Sequence, residues 1–331
     1  MPDAITYRNS PHDIPGWNPG ALNSQGRGYA YALDGFFVHV YGFDHGLWTI
    51  SPGLTATEAR GEESLEAWVT RRFGAAEITP VRQPVGTAID GVWRPGLAAH
   101  DQLLAALAVT RHDQRLAEQS LQLLISALSD LLIYVEPSGP GREAYSAKTR
   151  ELLILACTEV EDGWAQHLKR ANVPRPPRGY STNDYVRLRD SLDLPAFEIG
   201  LVPYPEVPAI RPFAAWDAAQ PTRSLPWYHA YNKAKHDRTT NLPQATVERC
   251  IAAVAACLAM HCVRFGPYSM YNDNTPVAGL VSHLFSLELV EPEPASFYVP
   301  LVELPPDQRR DLIVFSGDHV GVPWTTAPLK V

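Results

Sequence analysis

Residues 227–238, Trp-Tyr-His-Ala-Tyr-Asn-Lys-Ala-Lys-His-Asp-Arg, set His229 and His236 among Lys233, Lys235 and Arg238. An imidazole changes charge near neutrality and can move a proton in either direction. Lysine and arginine beside it would hold an anionic group. Projected at about 100° per residue, Trp227, Ala230, Tyr231 and Ala234 share one side of a helix, while His229, Asn232, Lys233 and His236 share the other. Lys235 and Tyr228 lie on a flank, and Arg238 falls at the helix end, where a cation suits the last carbonyls.

Such a polar face is either a site or solvated surface, and the neighbouring elements bear on the choice. A second helix begins near Tyr145, with Leu153, Cys157, Val160, Trp164 and Leu168 as its apolar stripe. Arg150 and Glu161 flank that stripe, where half-buried charges need partners. Pairing of Glu161 with Lys235 or His236 is expected if the face is a structural network.

Further along the same reading, Leu121, Leu124, Leu128, Leu131 and Val135 mark an earlier helix, stopped by Glu-Pro-Ser-Gly-Pro-Gly. The stretch "STNDYVRLRDSL" reads as one short capped helix, and the Pro-rich residues 195–226 as a strap held by Phe197, Tyr204, Phe213 and Trp216. Ser224 is the expected cap of the opening helix, with Pro226 in its first turn. The last long helix is "QATVERCIAAVAACLAMHCVRFG", and its alanines permit close packing. Before residue 100 the chain reads as a hairpin of Phe37 to Tyr41 with Leu47 to Ile50, then a helix over "TATEARGEESLEAWVTRRFG". Beyond residue 266 it reads as irregular, with "FYVPLVEL" and "DLIVFSGD" strand-like.

The formal net charge is −8, so any nucleic-acid contact must come from a local basic patch. The connector cations Lys169, Arg170, Arg175 and Arg178 are most simply solvated, although they could extend such a patch. Cys157, Cys250, Cys257 and Cys262 read as buried reduced thiols, and Cys257 with His261 and Cys262 lacks the further ligands of a structural metal site. With no apolar leader and no long apolar run, a soluble cytoplasmic protein without membrane contact is expected. The nucleophile elbow, the phosphate-binding glycine loops and the paired-histidine zinc motif are all missing, and no cofactor is called for. Glu62 and Glu63 fit a helix start better than a catalytic acid pair.

The stretches "SLPWYHAYNKAKHDR" and "YSAKTRELLILACTEVE" together resemble a group of bacterial proteins with helical HEPN-type domains, over about residues 100–266. That resemblance implies a four- or five-helix bundle, often dimeric, whose active members are metal-independent ribonucleases. Their signature is an arginine followed after four to six residues by a histidine. His236 would require the arginine at Tyr231, Ala230 or His229, so the signature is not kept there. Arg223 with His229, and Arg94 with His100, do have the spacing, but chance alone supplies about two such pairs in a chain of this composition.

The expected architecture is mainly α: a HEPN-like bundle over 100–266, an α+β segment over 1–99, and an irregular extension with short strands over 267–331. The expected function is binding of RNA, a nucleotide or a protein partner through His229, Asn232, Lys233 and His236, as a homodimer through helix faces. Lys235, Arg238, Glu161 and Arg150 complete the ligand-binding set. One rival is a metal-independent endoribonuclease using His236 or His229 with Arg223 or Arg238. The other is a structural protein in which these residues form a buried network.

Overall fold

A computed structural model describes residues 1–10, 26–42, 47, 50–97, 102–236, 238–271, 275–303, 312–314 and 322–331. In chain order the strands are β1 (Ala4–Arg8), β2 (Arg27–Leu33), β3 (Phe36–Gly42), β4 (Ile50–Glu58), β5 (Ala76–Pro80), β6 (Thr87–Ile89), β7 (Phe197–Leu201), β8 (Phe285–Leu289), β9 (Leu312–Val314) and β10 (Thr325–Ala327). The α-helices are α1 (Leu65–Phe73), α2 (Leu103–Ala106), α3 (Arg111–Leu132), α4 (Ala147–Arg170), α5 (Thr182–Tyr185), α6 (Leu188–Ser191), α7 (Pro226–His236), α8 (Arg238–Asn241), α9 (Val247–Phe265) and α10 (Pro276–Leu284).

Two compact units divide the chain. The first takes Met1–Ile89, Trp93–Ala108 and Glu293–Ala327, and the second Asp90–Val92, Val109–Pro292 and Pro328–Val331. The residues expected to form a separate extension are therefore shared between the two.

The first unit is built on a six-stranded antiparallel sheet in the order β5-β1-β2-β3-β4-β9. Side chains alternate across a strand, and here both faces are covered. Ala30 and Phe37 meet Trp68, Val69 and Phe73 of α1, whereas Tyr29, Tyr31, Val38 and Val40 meet Phe297, Val299 and Val302. The β2–β3 turn is Asp34-Gly35, both residues with positive φ, as a two-residue hairpin of matching twist requires.

Several expectations change here. The strand after β3 starts at Ile50 rather than Leu47, and Thr55 to Glu58 extend it instead of opening a helix. Pairing with β3 supplies the ladder bonds that a helix would have made internally. The helix starts at Leu65 behind the Ser64 cap, so Glu62 and Glu63 precede it, and Glu63 binds Arg71 at 2.8 Å through both oxygens. Residues 297–303 join no strand. Instead Tyr31 donates to the Pro300 carbonyl and accepts from the Val302 amide, each at 3.1 Å.

The second unit is helical, with α4 packed on α9, α3 and α7. Caps at Thr110 and Ser146 start α3 and α4, and α3 ends at Leu132, short of Val135. Leu153, Cys157, Val160, Trp164 and Leu168 are all buried, as their period demands. Cys250 Sγ donates to the Thr149 carbonyl at 3.1 Å and Cys257 Sγ to the Ala156 carbonyl at 3.2 Å. Both contacts advance by one heptad with the same offset, so α4 and α9 run parallel in close contact over small residues.

The strap is correct in outline: Phe197, Phe213 and Trp216 are buried, Tyr204 only half so, and Trp216 stacks on Trp164 with ring centroids 4.7 Å apart. It opens with a strand that sequence reading missed, β7, paired antiparallel with β8. The expected single helix after residue 181 is two four-residue turns, α5 and α6. The tail holds a helix, α10, capped by Thr275 with Pro276 in its first turn. The fold is thus mixed, and mainly α describes only the second unit. Among the described residues no helix is long and apolar enough to cross a membrane.

Candidate functional site

α7 begins at Pro226, whose missing amide costs nothing at a helix start. Ser224 does not cap it; the Ser224 hydroxyl accepts the Asp217 amide at 3.0 Å. Trp227, Tyr228, Ala230, Tyr231 and Ala234 are buried, so Tyr228 joins the expected core side. His229 and Asn232 are half-buried, and Lys233, Lys235 and His236 are exposed.

The polar groups of α7 fall into two sets. On the side toward α4, the Tyr228 hydroxyl donates to Glu161 Oε1 and the Tyr231 hydroxyl to Oε2, the latter at 2.9 Å. Lys235 Nζ donates to the Tyr231 hydroxyl at 2.7 Å, and that bond holds the ammonium pKa above its usual value. Burial pushes both phenols up, and the hydrogen bond to Glu161 pushes Tyr228 further. Glu161 therefore pairs directly with neither Lys235 nor His236: it accepts from Tyr231, expected on the apolar side, and from Tyr228, expected on the flank, and Lys235 reaches it only through the Tyr231 hydroxyl. Arg150 Nε donates to the Ala234 carbonyl at 2.9 Å, satisfying one of the last acceptors of α7. Both α4 charges expected to bind ligand thus make contacts that hold α7.

The outer set is centred on His229. Its Nδ1 is buried without a hydrogen-bond partner among the described residues. Burial first, then the charges of Lys233, Arg223 and Arg249, hold its pKa below the ordinary imidazole value. Those cations come from α7, the segment before it and α9. Arg249 is held by the carbonyl and side-chain oxygen of Gln244 at 2.7 and 3.0 Å. Sequence reading missed Arg249, because its only signal was a basic residue in the first turn of a separate helix. Asn232 is committed to the Tyr228 carbonyl at 3.2 Å.

Of the arginine–histidine pairs, Arg223 and His229 share one electrostatic environment. Arg94 is buried in the first unit and His100 lies outside the described residues, as does the Arg238 side chain. His236 is exposed on the last turn. In the basic connector, Arg170 is ion-paired with Asp90, while Lys169, Arg175 and Arg178 are exposed. Compared with known families, curated proteins and solved structures, the chain matches no family model, no curated protein and no solved structure.

Proposed function

We propose that the chain is an atypical HEPN-type protein that binds the phosphate groups of RNA or of a nucleotide through the outer face of α7. The observation that carries this is His229: a half-buried imidazole whose Nδ1 has no hydrogen-bond partner among the described residues, its pKa lowered by burial and then by the charges of Lys233, Arg223 and Arg249. In a chain of net charge −8, such a local concentration of cations is what a phosphate needs to approach.

The same observation favours one second reading, a metal-independent endoribonuclease. A neutral His229 would take the proton of a ribose 2′-hydroxyl, and Arg223 would neutralise charge on the scissile phosphate. A homodimer would bring two such faces into one molecule. A protein partner with an acidic surface would use the same cations.

The test is binding of a fluorescent single-stranded RNA and of a labelled nucleotide to the intact protein across a salt series, followed by cleavage in EDTA. Loss of one phosphate contact in Lys233→Ala should lower the slope of log affinity against log salt by roughly 0.7 to 1. Cutting abolished by His229→Ala at unchanged melting temperature makes the site catalytic. Binding that is absent, or unchanged in both Lys233→Ala and Arg223→Ala, sinks the proposal.

A further inference from the structure

We infer that a cavity between α3, α4 and α9 is a binding site for a small carboxylate-type oxyanion. The cavity is about 40 Å³ and is lined by Leu121 and Val160 on its apolar side and by Glu159, His261 and Arg264 on its polar side. A single water needs roughly 10–15 Å³ by this measure, so the space suits a ligand of about three or four non-hydrogen atoms.

Arg264 is the main argument. It is half-buried on the last turn of α9, its Nε is shielded from solvent, and it makes no hydrogen bond or ion pair with the protein among the described residues. Its guanidinium carbon sits 4.8 Å from the Phe265 ring centroid, which orients the planar group. A guanidinium removed from water without a paired charge is costly, and its flat fork matches a carboxylate. The acids Asp113, Asp162 and Glu159 act on it only through space, and Arg170 opposes them. Burial, ahead of Arg170, lowers the pKa of Arg264, which is the cost of holding a guanidinium away from water.

His261 supplies a second polar atom on the same wall. The residue is 5% exposed, Nε2 lies 3.3 Å from the Ser269 hydroxyl, and Nδ1 is buried with no partner among the described residues. When the Ser269 hydroxyl donates to Nε2, Nδ1 carries the ring proton and becomes a donor. Glu159, on the opposite helix, has its carboxyl pKa raised, chiefly by burial. A fixed guanidinium on the wall rules against a cation as the ligand.

The cavity can be narrowed without touching a polar group. Gly163 also lines it, and a Cβ there would meet Met260 Cε at 3.2 Å, the free end of a flexible side chain. Gly163→Ala should fold, since alanine favours the helix over glycine and Met260 can turn aside.

The experiment is calorimetric titration of the intact protein with sodium acetate and sodium formate, against sodium chloride at equal ionic strength. A saturable one-to-one heat is expected for the carboxylates, weakened about tenfold or more in both Arg264→Gln and Gly163→Ala. If Arg264→Gln does not fold, Gly163→Ala decides alone. The inference is overturned by the absence of a saturable heat, by chloride acting as strongly as acetate, or by Gly163→Ala titrating like the wild type. The α7 proposal stands or falls separately, because its RNA-binding test involves none of these residues.

Discussion

The Tyr231 hydroxyl lies 2.9 Å from Glu161 Oε2, and Lys235 Nζ reaches that same hydroxyl from 2.7 Å. With Tyr228 on Oε1, one carboxylate of α4 takes donors from two successive turns of α7. The proton order is fixed: the ammonium donates to the phenol, and both phenols donate to the acid. Hydrogen bonds to a charged group contribute about 1.5–3 kcal/mol each when buried, and less at the exposed edge where Lys235 sits.

Glu161→Ala should therefore lower unfolding free energy by about 2–3 kcal/mol, because two buried phenols lose their acceptor. Tyr231→Phe should cost about 1 kcal/mol, since Glu161 keeps its Tyr228 partner. Urea denaturation of both single variants and the double variant measures the coupling. A double variant whose cost equals the sum of the singles would mean that the pair does not act as one network.

Two histidines of the second unit make its stability depend on acid. His167 is 0% exposed, neither ring nitrogen has a partner among the described residues, and burial, aided by Arg264 and Arg170, pushes its pKa down to about 3. His261 is pushed down to about 4, again chiefly by burial. The unfolded imidazoles titrate near 6.5, so between those values the unfolded chain holds more protons and stability rises with pH. The contribution is fully present above pH ~6.5 and is lost as pH falls through ~6.5 toward 4, at up to about 1.4 kcal/mol per pH unit for each histidine. Denaturation at pH 7, 6 and 5 should show this slope, and His167→Met should remove about one proton's share of it. An unchanged slope in that variant would place the acid sensitivity elsewhere.

What the sequence disclosed follows the range of the interactions involved. The α4 stripe was legible because Leu153, Cys157, Val160, Trp164 and Leu168 repeat locally with the helix period. The β7–β8 ladder was not, because Phe197 pairs with Leu289, and no local pattern announces a partner so far along the chain. Asp34-Gly35 was a readable hairpin signal that the aromatic run beside it obscured. In the site, projection separated the two faces of α7 correctly. It could not supply Arg249 from another helix, nor reveal that Tyr228 and Tyr231 would present hydroxyls to Glu161.

The four thiols should be inert in the native protein. Burial pushes Cys250 up to about 12 and raises Cys157, Cys257 and Cys262 well above the ordinary thiol value. Reaction requires the thiolate and access, and both are withheld. A disulfide-exchange reagent at pH 8 should label no cysteine within minutes in buffer and all four in guanidinium. Rapid labelling of any one in the folded state would contradict the parallel packing of α4 on α9 at that level.

His229 gives the α7 face a pH dependence with a defined sign. Its folded pKa is lowered by burial and by three neighbouring cations, so it is neutral at pH 7 and gains charge only as the pH falls below its depressed value. A bound phosphate would offset those cations and favour the imidazolium, so binding takes up a proton and affinity must rise on acidification. Wild-type affinity for single-stranded RNA should strengthen between pH 7 and 5.5, and His229→Asn should remove most of that gain while leaving affinity at pH 7 within a few-fold. In His236→Ala the His229-dependent gain should persist, because the electrostatic cluster lies around His229. Loss of the gain in His236→Ala with retention in His229→Asn would reverse the assignment and return the site to the end of α7.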